Sequence, residues 1–213
     1  MSFQKIIAIL KYKLLPFQSK RYWEKRYAQN KTSGTGSYGN LAEFKACIIN
    51  EFLTQKKISN VIEWGCGDGN QLKYMNYKKY IGFDVSKHAL LMCTKKFHND
   101  SSKKFFNITE YNNEKADLSL SLDVIFHLVE DNFFNNYMNR LFDSSKKYVI
   151  IYSSNSNHQF ETKVEHYKNR KFTDWVESNK PSFELINLIK NKYPYEKNKN
   201  SGSVSDFYFY MKK

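Results

Sequence analysis

The chain has 213 residues, 41% hydrophobic and 17% aromatic, which suits one globular domain with a substantial core and excludes a stapled mini-protein or a disordered chain. Its 34 Lys and Arg against 21 Asp and Glu give a formal charge of +13, a balance that points toward polyanionic partners. All those cations except Arg21, Arg26, Arg140 and Arg170 are Lys, and Asn, Ile, Phe and Tyr are also abundant. Drift toward AT-rich codons explains much of such an excess, and a dedicated phosphate reader would use more Arg.

Residues 1–17 contain a short apolar stretch, Ile6 to Leu10, too short for a signal-peptide core or a membrane span. It reads as a helix packed on the domain, or as a basic amphipathic helix in weak contact with a membrane surface. Arg21–Ala28 and roughly Tyr38–Lys57 are helical segments, separated by the small polar loop Asn30–Ser37, suited to a mobile lid. Residues 1–57 thus form N-terminal helices with a lid loop, and 58–213 a core belonging to the same structural domain.

Within the core, Ile58–Trp64 is a β-branched strand that runs into the turn GCGDGN and a helical segment, Gln71–Asn76. Tyr80–Asp84 is a second strand, and Ser86 caps a helix extending to about Phe97. Lys104–Ile108 and Asp117–Leu122 are the next strands; Phe133, Phe134, Tyr137, Met138, Leu141 and Phe142 then recur at helical spacing after Asp131. Tyr148–Tyr152 is a nearly all-apolar fifth strand, as buried parallel strands are. Around Phe183–Ile189 and Val204–Met211 lie two further strands with no room for a crossover helix, hence an antiparallel edge hairpin. The expectation is an α/β, Rossmann-like, seven-stranded, mostly parallel sheet with helices on both faces and an N-terminal helical extension. Trp23, Phe44 and Trp175 are expected in the core.

Cys47, Cys66 and Cys93 form no CxxC pair and no Cys/His pattern suited to zinc. No metal is expected, and a reducing cytoplasm is the compartment that fits.

The chemistry centres on Glu63-Trp64-Gly65-Cys66-Gly67-Asp68-Gly69-Asn70. Glycines at the carboxyl end of the first strand allow backbone to approach a ligand, and Asp84, ending the second strand, is suitably placed for both hydroxyls of a ribose. A dinucleotide turn would have glycine where Asn70 stands, and Glu63 would repel a pyrophosphate. A cationic ligand without phosphate, S-adenosylmethionine, fits the carboxylate better.

VIEWGCGDGNQL, GFDVS and ADLSLSLDVIFHLVED resemble motifs I, II and IV of the class I S-adenosylmethionine-dependent methyltransferases, in order. YWEKRY, TSGTGSYGNLAEFK, YVIIYSSN and HYKNRKFTDWV are similar to a small bacterial subfamily whose substrates are generally unassigned. The resemblance implies that Gly65, Cys66, Gly67 and Gly69 wrap the methionine portion and ribose. Glu63, Asn70 and Gln71 would lie beside them, Asp84 on the ribose, Val85 on adenine, and Ser121, Leu122 and Asp123 near the methionine ammonium. Asn107 or Glu110 would stand where the family often places an acidic adenine contact.

Methyl transfer is an in-line displacement from a good leaving group, so alignment and acceptor deprotonation carry most of the work. His127 and His166 are the candidate catalytic groups. Arg26, Tyr38, Ser153, Asn155, His166 and Arg170 are candidate acceptor contacts. On a helix His166 and Arg170 would share a face and, with Lys168, suit a phosphate or carboxylate. The implied function is O-methylation of an anionic small molecule, such as a sugar- or phosphate-bearing intermediate of surface glycans or secondary metabolism. The alternatives are an RNA or protein methyltransferase using the basic surface, or a non-catalytic binding protein. SLDV stands where DPPY or NPPY would mark amino-base methylation, which weighs against that chemistry; nucleic acid is the less expected partner.

Overall fold

A computed structural model describes residues 17–159, 164–196 and 201–213; the apolar stretch at Ile6–Leu10 lies outside them. Two helices, α1 (Ser19–Ala28) and α2 (Gly39–Gln55), precede the sheet. There follow β1 (Asn60–Trp64), β2 (Lys79–Asp84), α3 (Lys87–Lys96), β3 (Lys103–Asn107), β4 (Ala116–Leu122), α4 (Asp131–Asp143) and β5 (Ser145–Ser153). The chain ends with α5 (Phe172–Asn179), β6 (Phe183–Ile189) and β7 (Asp206–Lys212). The sheet order is β3-β2-β1-β4-β5-β7-β6. β1 pairs in parallel with both β2 and β4, while β7 runs antiparallel between β5 and β6.

Alternation builds two cores, one on each face of the sheet. Ile150, Tyr152, Phe207 and Phe209 pack with Ile49 and Leu53 of α2; Val149, Ile151, Tyr208 and Tyr210 pack with Phe134, Met138 and Leu141 of α4. Central strands buried on both faces read as unbroken apolar runs, which is why YVIIY is legible as a strand. Ser86 caps α3, its Oγ accepting from the Ala89 amide at 3.2 Å.

Two expectations change. Gln71–Asn76 is only a single 3-10 turn, Gln71–Tyr74, too short to be a helix. His166 and Arg170 stand outside any helix, in irregular chain before α5, so the shared helical face does not exist. Among the described residues no helix is long and apolar enough to cross a membrane.

Because β2 and β4 leave β1 on opposite sides, the carboxyl ends of β1 and β4 flank the point where strand order reverses. Open α/β sheets place their ligand crevices there.

Candidate functional site

A cavity of about 800 Å³ opens at that point, lined by Glu63, Gly65, Cys66 and Gly67 after β1, Asp84 and Val85 after β2, and Leu122, Asp123 and Val124 after β4. Trp23 and Tyr27 of α1, the Ser33–Ser37 loop and the Ser203–Ser205 stretch before β7 complete its walls.

The glycine turn is required sterically. Gly65 has φ 82° and a Cβ there would lie 2.5 Å from Val124 Cγ2; at Gly67, φ 57°, it would lie 2.4 Å from Ser33 Oγ. Asp84 fixes the turn from the second strand: its Oδ2 accepts from the Gly67 amide at 2.9 Å and its Oδ1 from the Ser86 amide at 2.8 Å. Burial pushes the Asp84 carboxyl up to about 6 despite these bonds.

Below the turn, Glu63 is buried and accepts from Tyr80 Oη at 2.7 Å. Burial pushes it up to about 7, against the Tyr80 hydrogen bond and the charge of Lys45. Gln71 donates through Nε2 to Ala42 O at 2.8 Å, while its Oε1 is buried with no hydrogen-bond partner among the described residues.

Asp68 is a fastener. Its Oδ2 accepts from the Ser33 amide at 2.9 Å and Tyr38 Oη at 2.8 Å, and Asn70 Nδ2 donates to Ser37 O at 2.7 Å. Burial opposes the Asp68 charge, yet hydrogen bonds from Ser33, Asn70 and Tyr38 outweigh it and hold the carboxyl below its usual range.

Asp123 follows β4 with φ 58°, a conformation uncommon outside glycine and concentrated at functional sites. Its Oδ2 accepts from Lys45 Nζ at 2.7 Å and its Oδ1 from Ser205 Oγ at 2.9 Å. His127 sits in a 3-10 turn just beyond, lining the cavity with its Nδ1 2.8 Å from His166 O. Burial brings the His127 ring down to about 4, so it is neutral at ordinary pH.

Several candidate residues stand behind the wall. Gly69 packs against Cys93 and Phe97, and Ser121 Oγ bonds Tyr137 Oη at 2.8 Å. Asn107 and Glu110 bond each other in a capping box. Arg26 donates to Thr32 O at 2.7 Å and lies over the Trp23 ring; Asn155 bonds Thr173, and Ser153 is buried. The His166 ring stacks on Tyr22 at 4.5 Å. Arg170 donates to Leu128 O at 2.7 Å and Val129 O at 2.9 Å and pairs with Asp131, as does Lys168. The expected basic cluster is therefore a brace for the segment after His127.

Sequence reasoning missed Lys45 and assigned Trp23 to the core, whereas Trp23 lines the cavity. Lys45 left a signal: it falls on the buried stripe of α2, among Leu41, Ala42, Ala46, Ile49 and Leu53, where a charge must have a partner.

Residues 62–150 match the family model described as "Methyltransferase domain". No curated protein matches the chain. Among solved structures, the N-methyltransferase NodS from Bradyrhizobium japonicum WM9 in complex with S-adenosyl-L-homocysteine is similar with TM-score 0.67 and 11% identity, over 92% of this chain and 99% of that one. The magnesium protoporphyrin IX methyltransferase ChlM from Synechocystis PCC 6803 with bound SAM gives 0.65 and 12%, over 92% and 98%. The methyltransferase domain of bacterial CtHen1 gives 0.60 and 18%, over 81% and 98%. At these identities the likeness is one of fold.

Proposed function

We propose that this chain, whose fold and domain are those of the class I S-adenosylmethionine-dependent methyltransferases, methylates an oxygen on a small-molecule acceptor held beside His127. The residues present fit the cofactor. Gly65 and Gly67 bring bare backbone to the cavity wall in conformations that admit no side chain, Asp84 offers carboxylate oxygens at the ribose position, and Gln71 Oε1 has no hydrogen-bond partner among the described residues. When bound, S-adenosylmethionine supplies a methyl group on a sulfonium, already activated toward displacement.

What the chain supplies is alignment. The carbonyl of His166 only accepts, so His127 Nδ1 carries the hydrogen and Nε2 keeps the lone pair. An acceptor hydroxyl donating to Nε2 would have its own lone pair oriented for attack. As the acceptor oxygen is methylated its proton would pass to His127 Nε2 and, because burial makes that ring a weak base, from there to solvent.

This neutral, fixed imidazole in the wall of a walled cavity carries the reading. The anionic character expected of the acceptor rested on His166, Lys168 and Arg170; with Lys168 and Arg170 bonded to Asp131, we do not carry it forward. A second reading, transfer to RNA, draws on Lys20, Arg21, Lys25 and Arg26 of α1 beside the cavity and on the likeness in fold to the small RNA methyltransferase HEN1, at TM-score 0.63 and 15% identity.

Incubation with methyl-labelled S-adenosylmethionine and a fractionated cell extract separates them. Label in the low-molecular-weight fraction is expected; label in RNA or protein overturns the small-acceptor reading.

A further inference from the structure

Around His127 the cavity wall is aromatic. Two rings stand against the imidazole, Trp23 with centroids 4.8 Å apart at 71° and Phe126 with centroids 4.6 Å apart at 62°, and all three residues line the cavity. At the rim, Val164, Tyr195 and Val204 line the same cavity while 38%, 43% and 40% exposed. These are three of the six exposed large hydrophobics among the described residues, gathered on one opening instead of scattered, and apolar surface concentrated in this way marks a binding site. Backbone pairing holds that rim in place. Tyr195 and Val204 belong to the two arms of the β6–β7 connection, where Tyr195 N donates to Ser203 O at 3.0 Å and Ser203 N to Tyr193 O at 2.9 Å. Asn191 Nδ2 donates to the same two carbonyls, Tyr193 O at 2.9 Å and Ser203 O at 3.2 Å.

The charges in the wall restrict what this end can hold. Among the described lining residues Lys45 is the only Lys or Arg, against the carboxylates of Glu63, Asp84 and Asp123. Lys45 is bonded to Asp123 at 2.7 Å, and the second oxygen of Asp123 accepts from Ser205 Oγ at 2.9 Å. The other basic groups of the wall are His127, kept neutral by burial, and His158, which is exposed to solvent. An anionic acceptor would meet three carboxylates and no spare cation, and an amine would find Asp123 already engaged.

Resting on the small-acceptor reading above, we propose that the acceptor is an uncharged aromatic hydroxyl compound, a phenol or its fused-ring counterpart, seated against Trp23 and Phe126 with Tyr195 and Val204 along its far edge. Aromatic rings attract one another in offset or edge-to-face contact with centroids about 4.5–7 Å apart, so a flat acceptor gains from these walls what an aliphatic one does not. Its hydroxyl donates to His127 Nε2. On transfer the oxygen bonds to the methyl carbon as the carbon–sulfur bond breaks with its electron pair on sulfur, and the hydroxyl proton leaves through Nε2 to solvent. A phenol, with a pKa of about 10 as in tyrosine, suits so weak a base better than an aliphatic alcohol does.

Protein saturated with S-adenosylhomocysteine and titrated calorimetrically with 2-naphthol, 6-hydroxy-2-naphthoate and decahydro-2-naphthol tests this. 2-Naphthol should bind about 10-fold or more tightly than the naphthoate, which brings an unpaired charge to the wall. It should bind about 3- to 10-fold more tightly than the saturated alcohol, which keeps the hydroxyl and loses the aromatic contacts. Val204→Lys, at an exposed position, supplies a cation and should close the gap between 2-naphthol and the naphthoate; an unchanged gap contradicts the placement. Equal or tighter binding of the naphthoate or the saturated alcohol, or no binding of 2-naphthol, overturns the acceptor class and leaves oxygen methylation of a small molecule standing. A protein that S-adenosylhomocysteine does not saturate, or that labels RNA or protein, instead brings down that reading and this inference with it.

Discussion

His127 and His166 meet through one ring and one carbonyl: Nδ1 of His127 lies 2.8 Å from the backbone oxygen of His166, which fixes the tautomer of the first and leaves the second's side chain stacked on Tyr22. Two histidines that look equivalent in sequence therefore have unequal roles. Replacing His127 by Phe should lower the rate of labelled methyl incorporation by about 10²-fold or more, a common loss for a proton-transfer group. His166→Phe keeps the carbonyl and the stack on Tyr22 and should retain most of the rate. Equal losses in the two variants would contradict this division of roles.

The same burial makes stability depend on pH through His127. Its folded pKa, about 4, lies below the usual value of 6.5, so on acidification the unfolded chain takes up the proton first. Stability is whole above pH 6.5 and declines as pH falls toward 4, by on the order of 3 kcal/mol from this group. Denaturant titrations at several pH values should show wild type losing ground to His127→Gln across that window. Parallel curves for the two proteins would contradict the shift.

Glu63 and Asp84 are displaced the other way, to about 7 and about 6, chiefly by burial. An ammonium beside Glu63 and ribose hydroxyls on Asp84 would each favour the ionised form, so cofactor binding should release protons near pH 6.5. Affinity is expected to rise from pH 6 to 8, less steeply in Glu63→Gln. Calorimetry in two buffers of different ionisation enthalpy counts the protons; none released would argue against direct contact with these carboxylates.

Asp68 joins the Ser33–Ser37 loop to the glycine turn through Ser33 N and Tyr38 Oη. Tyr38→Phe deletes one charge-assisted hydrogen bond from that fastening and should speed S-adenosylhomocysteine dissociation by about 10-fold. Stopped-flow release in wild type and variant provides the comparison. An unchanged off-rate would mean the loop does not restrain the ligand.

Much of this was readable from residue patterns because central parallel strands are apolar on both faces and each is followed by a turn or cap. Val149–Tyr152, the turn from Gly65 to Gly69, and Asp84 at the end of β2 all fall where pattern places them. Side-chain pairing across long sequence separations was not readable. Arg170 is a scarce arginine four residues after a histidine, yet its guanidinium is directed to Leu128 O, Val129 O and Asp131, some forty residues earlier in the chain. Lys45 stood out as a charge on an apolar stripe, but its partner Asp123, 78 residues on, could not be named until the fold brought the two together.

The central claim is that the cavity at the ends of β1, β2 and β4 is a cofactor site with Asp84 on the ribose. Calorimetric titration of S-adenosylmethionine into wild type and Asp84→Ala tests it directly. The wild type should bind one equivalent, and the variant, still folded by circular dichroism, should bind at least about 10-fold more weakly. Indistinguishable affinities, or a wild type that binds no cofactor, would contradict it.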